Sequence, residues 1–190
     1  MIKIAFFSSN RADLAFIYNL FELFNKNINY KTYALVNDIS NIDYRYLSKN
    51  KIIKTNLNNI DTKKYNLINH LSKLLKKYNK LLSKIKPEYM LIVGDRYEAF
   101  AMSIVCNFLN IRIIHIAGGD VTKGAYDDEI RTYISKSAYI HFVTNKASEK
   151  NLLKFITDKK NIFNFGSPSL DYIKNIKQID KNKISKKLNI

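Results

Sequence analysis

Three short polar clusters interrupt an otherwise apolar and lysine-rich sequence. They are Ser8-Ser9-Asn10-Arg11-Ala12-Asp13, Gly94-Asp95-Arg96-Tyr97-Glu98, and His115-Ile116-Ala117-Gly118-Gly119-Asp120, the last continuing through Thr122 and Gly124 to Asp127-Asp128-Glu129-Ile130-Arg131. Carboxylates set beside arginines can move a proton next to an anionic substrate, the cation holding the negative charge while the carboxylate acts as acid or base. Each cluster also has a plain structural explanation. Ser9 or Asn10 can cap a helix, and Asp95 followed three residues later by Glu98 has the spacing of a capping box. Asp127 can pair with Arg131 one helical turn away. Gly118-Gly119 suits a tight turn, and His115 can be a hydrogen-bonded core histidine.

The surrounding pattern argues for a shared location. Ile2 to Ser8 reads as a buried strand, followed by a helix with Leu14, Ile17, Tyr18, Phe21 and Phe24 on one stripe. Lys31 to Val36 is a second strand; Asn37 to Asn59 is polar and carries no clear assignment. From Thr62 to Lys86 a single apolar stripe runs from Leu67 to Ile85 and stops at Pro87. Tyr89 to Val93, Ile111 to Ile116, Tyr139 to Val143 and Ile162 to Phe165 are short apolar strands. Helices intervene: one with Phe100, Ala101, Ile104, Val105 and Phe108 inward, one over Asp127 to Ala138 with Ile130, Tyr133, Ile134 and Ala138 inward, and one over Lys146 to Ile156. Fully apolar strands alternating with amphipathic helices predict an α/β domain, a doubly wound parallel sheet covered on both faces. In such sheets the ligand crevice forms at the carboxyl ends of the strands, where all three clusters fall. Residues 1–170 form this Rossmann-like domain, and residues 171–190 read as a lysine-rich linker or tail.

Composition narrows the function. The chain has 190 residues, 32 lysines and arginines against 16 aspartates and glutamates, and a net charge of +16. The lysines lie scattered among asparagines and isoleucines without a nucleic-acid reading motif, so a solvated surface accounts for them and no nucleic-acid partner is expected. A lone cysteine, Cys106, excludes disulfides and thiolate clusters within the chain and should be buried. His70, His115 and His141 are too far apart in sequence for a local metal motif, and neither a dinucleotide fingerprint nor a P-loop occurs. We therefore expect no metal and no organic cofactor. With no long apolar run, neither a membrane partner nor a secretion signal is expected, and the location should be cytoplasmic.

The same clusters resemble motifs of the hydrolysing UDP-N-acetylglucosamine 2-epimerases of sialic-acid synthesis. Ser9-Asn10-Arg11-Ala12-Asp13 is similar to that family's opening turn, and Gly94-Asp95-Arg96-Tyr97-Glu98-Ala99 to its second motif. His115 through Gly118-Gly119-Asp120, Thr122, Gly124-Ala125, Asp128-Glu129 and Arg131 to Ser135-Lys136 is similar to its third. Gly166-Ser167-Pro168-Ser169-Leu170-Asp171 resembles the exit from its first domain. The sequence departs at Ala117, where relatives place glutamate or histidine. The resemblance implies the first half of a two-domain GT-B arrangement, with the second domain absent here, so the enzyme is expected to be truncated or split, with a second domain encoded separately. It further implies a nucleotide-sugar substrate, a homo-oligomer, and release of UDP and N-acetylmannosamine. A UDP-diacetamido sugar of the legionaminic-acid type is the alternative substrate, and a non-catalytic fragment or partner subunit the alternative to an enzyme. By the same resemblance Asp95, Glu129 and Asp120 are the expected catalytic residues, and Ser9, Arg11, Asp13, Arg96, His115, Arg131 and Ser167 the expected substrate-binding ones.

Overall fold

Strand residues of this chain alternate between two apolar layers, so each strand must be buried on both sides. A computed structural model satisfies this with seven parallel strands and five helices; it describes residues 1–36, 52–54, 67–122 and 126–168, with Leu170 and Ser185. The strands are β1 (Ile2–Ser8), β2 (Tyr30–Val36), β3 (Ile52–Lys54), β4 (Tyr89–Val93), β5 (Arg112–Ile116), β6 (Ile140–Val143) and β7 (Ile162–Asn164). The helices are α1 (Arg11–Lys26), α2 (Leu67–Ile85), α3 (Tyr97–Phe108), α4 (Asp127–Ser137) and α5 (Lys146–Leu152). Every pairing is parallel, in the order β3-β2-β1-β4-β5-β6-β7. The order reverses direction between β1 and β4, which opens a crevice at their carboxyl ends.

On one face, Leu74, Tyr78 and Leu82 of α2, Met102 and Cys106 of α3 and Ile134 of α4 pack on Phe7, Met90, Ile92 and Ile113 of the sheet. On the other, Ile17 and Phe21 of α1 pack on Ile4, Phe6, Leu91 and Val93, with the Phe6 and Phe21 rings 5.5 Å apart at 84°. Each such side chain contributes roughly 1.5–3 kcal/mol by leaving water. Among the described residues this second face is only partly covered. Over β5 to β7, Ile114, Phe142 and Phe163 are half-buried and Phe165 is exposed, while the Phe142, Phe163 and Phe165 rings stack at 5.6 and 6.0 Å.

The fold agrees with the expected class, and Cys106 is buried as expected. Strand β3 lies in the segment without a sequence assignment; the start of the predicted 62–86 helix and the whole of the predicted 171–190 tail, Ser185 apart, lie outside the described residues. Two helix orientations differ from expectation. Phe108 on α3 is 83% exposed and Tyr133 on α4 is 57% exposed, although both had been placed inward. The inward face of α3 is Ala99, Met102 and Cys106 with Ala101 and Val105. Because α3 is apolar around its whole circumference, periodicity carries little information about which side faces the sheet.

The loop after β5 is fixed by close packing. Gly119 has φ +78°, and a Cβ there would sit 2.2 Å from the carbonyl oxygen of Ser148 on α5. Left-handed geometry and an unavoidable backbone clash act together, so Gly119→Ala should lose about 3 kcal/mol of stability in urea unfolding. An unchanged midpoint would show that this loop does not pack on α5.

Candidate active site

The turn after β1 is built by Asp13. Its Oδ2 accepts from the Ser9 backbone amide at 2.9 Å, the Ser9 hydroxyl at 2.5 Å and the Asn10 amide at 3.2 Å, while Asn10 Oδ1 accepts from the Asp13 amide at 3.0 Å. Asn10 is thus the cap of α1 and Asp13 its capping-box partner. Burial raises the Asp13 carboxyl above its ordinary value, against the lowering effect of these hydrogen bonds and of Arg96. Arg11 opens α1 through its backbone, and its side chain lies outside the described residues.

After β4, Gly94 takes φ +73° and delivers Asp95 to the crevice. The proposed capping box of Asp95 and Glu98 does not form. Arg96 is the N-cap of α3 without a side-chain cap bond, and its Nε and Nη2 grip the buried Glu98 carboxylate, each at 3.2 Å. Asp95 pairs instead with Arg131 of α4, whose Nη2 donates to Asp95 Oδ2. The Arg131 Nη1 donates to the Asp120 carbonyl oxygen and, at 2.9 Å, to Asp128 Oδ1. One guanidinium therefore joins the loop after β4, the loop after β5 and its own helix. The expected Asp127–Arg131 pair is replaced by the Asp128–Arg131 pair at one position closer.

Asp120 is held from its other side by α5. The Thr144 hydroxyl donates to Asp120 Oδ1 at 2.8 Å and the Ser148 hydroxyl donates to the same oxygen. Thr144 and Ser148 escaped the sequence reading; their one signal was a pair of hydroxyls around Asn145, the residue that caps α5.

Burial raises the Asp95 carboxyl above the usual carboxylate value; Arg131 opposes this, and Asp127, Asp13 and Asp128 reinforce it. Asp127 and Asp128, both in the third polar cluster of the sequence, therefore belong to the surroundings of Asp95. A recess of about 210 Å3 opens beside them, lined by Leu67, Arg96, Tyr97, Tyr126, Asp127 and Ile130.

The other expected site residues stand apart. Glu129 is exposed, and two residues of helix set it roughly 200° around α4 from Arg131. Ser167 follows β7, the outermost strand, and is half-buried. His115 is 0% exposed, beneath the crevice floor. Its Nε2 is 2.8 Å from the Gly94 carbonyl and its Nδ1 3.0 Å from the Ser135 hydroxyl. Since a carbonyl only accepts, Nε2 carries the proton and Nδ1 accepts from Ser135. His115 thus acts on the crevice by holding the Gly94–Asp95 turn. Gly118 is required by the same contact, because a Cβ there would lie 2.9 Å from Ser135 Oγ and 3.0 Å from His115 Nδ1. Ala117 lies between these elements at φ +62°, a strained conformation for a residue with a Cβ. Among the described residues no group of three or more histidine, cysteine or acidic side chains is disposed to hold a metal ion, and no helix is long and apolar enough to cross a membrane.

Burial lowers the His115 imidazole to about 4, with a Gly94 hydrogen bond opposing and His141 and Arg131 assisting. An unfolded chain takes up this proton near the ordinary value of 6.5, so stability falls as pH drops from 6.5 toward 4. The loss is about 3 kcal/mol from this group. His70 and His141, also lowered by burial, act in the same direction, and the raised Asp13 and Asp95 act against it. His115→Gln should therefore flatten the unfolding free energy between pH 4 and 6.5 relative to the unsubstituted chain, as urea titrations at each pH would record. Parallel curves would mean that His115 is not the buried neutral group.

A sequence profile of the family described as UDP-N-acetylglucosamine 2-epimerase matches residues 39–190. The chain is 35% identical over 125 residues to the GDP/UDP-N,N'-diacetylbacillosamine 2-epimerase (hydrolyzing) of Campylobacter jejuni, covering 66% of this chain and 33% of that protein. It is 38% identical over 93 residues to a UDP-N-acetylglucosamine 2-epimerase of Neisseria meningitidis serogroup B, covering 49% and 24%. The crystal structure of UDP-GlcNAc 2-epimerase from Neisseria meningitidis bound to UDP-GlcNAc superposes with a TM-score of 0.76 at 20% identity, over 98% of this chain and 52% of that one. At that identity the superposition speaks for the fold alone. The match thus spans about half of the solved chain and a third or less of these two curated relatives. On the profile match, which spans most of the sequence and takes in the Asp95, Asp120 and Arg131 loops, the chain belongs to the UDP-N-acetylglucosamine 2-epimerase family.

Proposed function

We propose that this domain is the proton-transfer half of a hydrolysing epimerase acting on a UDP-linked acetamido sugar, with UDP-N-acetylglucosamine as substrate and N-acetylmannosamine and UDP as products. The observation that carries the reading is the raised Asp95 carboxyl at the sheet's switch point, held by Arg131 and ringed by Asp127, Asp128 and Asp13. A carboxylate whose proton affinity is raised is a stronger base toward a weakly acidic C–H than an ordinary one.

On this reading a carboxylate removes the sugar C2 proton while the C1–oxygen bond to the diphosphate breaks. A C1–C2 double bond forms, and UDP departs with the electron pair. Water then adds its oxygen to C1 and a proton returns to C2 from the opposite face. Asp95 and Asp120 are the proposed acid/base groups on this domain. Glu129 remains a proposed third, reaching the sugar from the exposed side of α4. Arg96 and Arg11 are the proposed cationic partners of the departing diphosphate, and Ser167 is proposed to contribute from the sheet's far edge. Arg131, Ser9, Asp13 and His115 act by position: Arg131 orients the carboxylates and the others fix the loops that carry them. The remainder of the site belongs to a second domain, consistent with a match to about half of the solved relative's chain. A location in the cytoplasm, where UDP-sugars are made, fits this substrate.

A second reading has a specific observation in its favour: the Campylobacter jejuni relative named for a diacetylbacillosamine sugar aligns over more of this chain than the Neisseria protein does. The apolar walls of the Leu67, Tyr97, Tyr126 and Ile130 recess suit the methyl group of an additional acetamido substituent.

The test is incubation of each UDP-sugar with this chain plus a relative's second domain in D2O. UDP release should accompany deuterium at C2 of the product, and Asp95→Asn should lower turnover at least ~100-fold, the usual loss for a general acid or base. UDP release without C2 deuterium, or an Asp95→Asn variant near wild-type rate, would defeat the proposal.

A further inference from the structure

Glu98 is a buried carboxylate to which the proposed chemistry gives no task. It lies in the first turn of α3 and is 6% exposed. The titratable groups around it on α2 and α3 are uncharged at neutral pH. Burial holds His70 below its ordinary value, and burial and Glu98 together push the Tyr97 phenol up to about 12 and the Tyr78 phenol up as well. The His70 and Tyr97 side chains meet each other, Nδ1 lying 3.3 Å from the hydroxyl. A carboxylate at this depth needs a cation. Arg96 supplies it: Nε donates to Oε2 and Nη2 to Oε1, each at 3.2 Å. The pairing also offsets the cost of placing Arg96 at the amino terminus of a helix, where the backbone favours anions.

The carboxylate takes the guanidinium from the side. A guanidinium has two edges suited to paired hydrogen bonds, the side edge of Nε and Nη2 and the end edge of Nη1 and Nη2. Glu98 occupies the side edge, and no described residue bonds Nη1. The Arg96 side chain is 48% exposed and lines the recess beside the Asp95 cluster. It is also close enough to Asp13, in the turn after β1, for each to affect the other's proton affinity. Arg96 therefore stands at the switch point with its end edge unclaimed. Arg131, by contrast, has both η nitrogens committed to Asp95, Asp128 and the Asp120 carbonyl.

We propose that Glu98 is a positioning residue for the substrate's diphosphate, fixing Arg96 side-on so that its end edge donates paired hydrogen bonds to phosphate oxygens. This rests on the reading of the crevice as a site for a sugar diphosphate. The Arg96–Glu98 pair carries no net charge, so what it adds is direction. A fixed fork matches two phosphate oxygens, whereas a surface of net charge +16 attracts anions without orienting them. A lysine in place of Arg96 would keep the charge but has no second edge with which to hold carboxylate and phosphate together. Holding the long side chain in place before the ligand arrives also spares the cost of ordering it on binding.

Calorimetric titration of UDP into the full chain at about 0.15 M salt tests this. Glu98→Gln should weaken UDP binding at least about 10-fold, and so should Arg96→Lys although it conserves the charge. The double variant should lie within about 2-fold of Arg96→Lys alone, because Glu98 acts through the guanidinium. Glu98→Asp keeps a carboxylate at a shorter reach and should weaken binding about 3-fold; it carries the test if urea unfolding shows that Glu98→Gln does not fold. Lys84→Gln removes an exposed cation of α2, roughly 25 Å along the helix from Leu67 of the recess, and should leave the affinity within about 2-fold of the unsubstituted chain. The proposal is overturned by no saturable binding of UDP up to about 5 mM, by unsubstituted affinity in Arg96→Lys or in the folded Glu98 variants, by losses that add in the double variant, or by an equal loss in Lys84→Gln. The titration reads binding alone, so UDP held through Glu98 and Arg96 without deuterium entering at C2 would refute the role of Asp95 and leave this one standing.

Discussion

The crevice depends on one guanidinium. Arg131 is the point at which the loop after β4, the loop after β5 and helix α4 are tied together, through Asp95, the Asp120 carbonyl and Asp128. Without it, Asp95 would keep its place beside Asp127, Asp128 and Asp13, whose charges oppose its ionisation, and would lose the guanidinium that favours it. Removing one member of a buried pair of this kind costs roughly 3–5 kcal/mol. Burial is the main cause of the raised proton affinity of Asp95, and the neighbouring carboxylates reinforce it against Arg131.

Around this junction the support is unusually tight for a loop region. His115 ties Ser135 of α4 to the Gly94 carbonyl from below the crevice, Gly118 and Gly119 admit the close approach of Ser135 and Ser148, and Thr144 and Ser148 fix Asp120. These residues hold the two loops in place from behind. Functional geometry in loops requires such backing, because loop backbones lack the ladders that hold strands and helices in place.

The fold was legible because its signal is redundant: apolar strands alternating with striped helices leave a parallel sheet as the natural solution, and the sheet order then places every strand-end cluster at one edge. Asp95, Asp120 and Arg131 were legible for the same reason. Their partnerships were not. Asp127 and Asp128 are both one helical step from a plausible bond with Arg131, and sequence spacing cannot distinguish them; the tertiary reach of Arg131 to Asp95, thirty-six residues earlier in the chain, decides the matter. His115 at the end of an apolar strand reads as a core histidine and only the resemblance makes it a substrate contact; its complete burial agrees with the first. Phe108 and Tyr133 misled because an apolar side chain at helical spacing does not by itself say which side of its helix meets the sheet.

The most direct test of the account is a pH titration of the Asp95 side-chain carbonyl carbon by NMR in the folded chain. A midpoint above the ordinary aspartate value of 3.8 is expected, because burial and the neighbouring carboxylates outweigh the attraction of Arg131. A midpoint at or below 3.8 would mean that Arg131 dominates, that Asp95 is held as a fixed counter-ion, and that the proton-transfer role assigned to it is wrong.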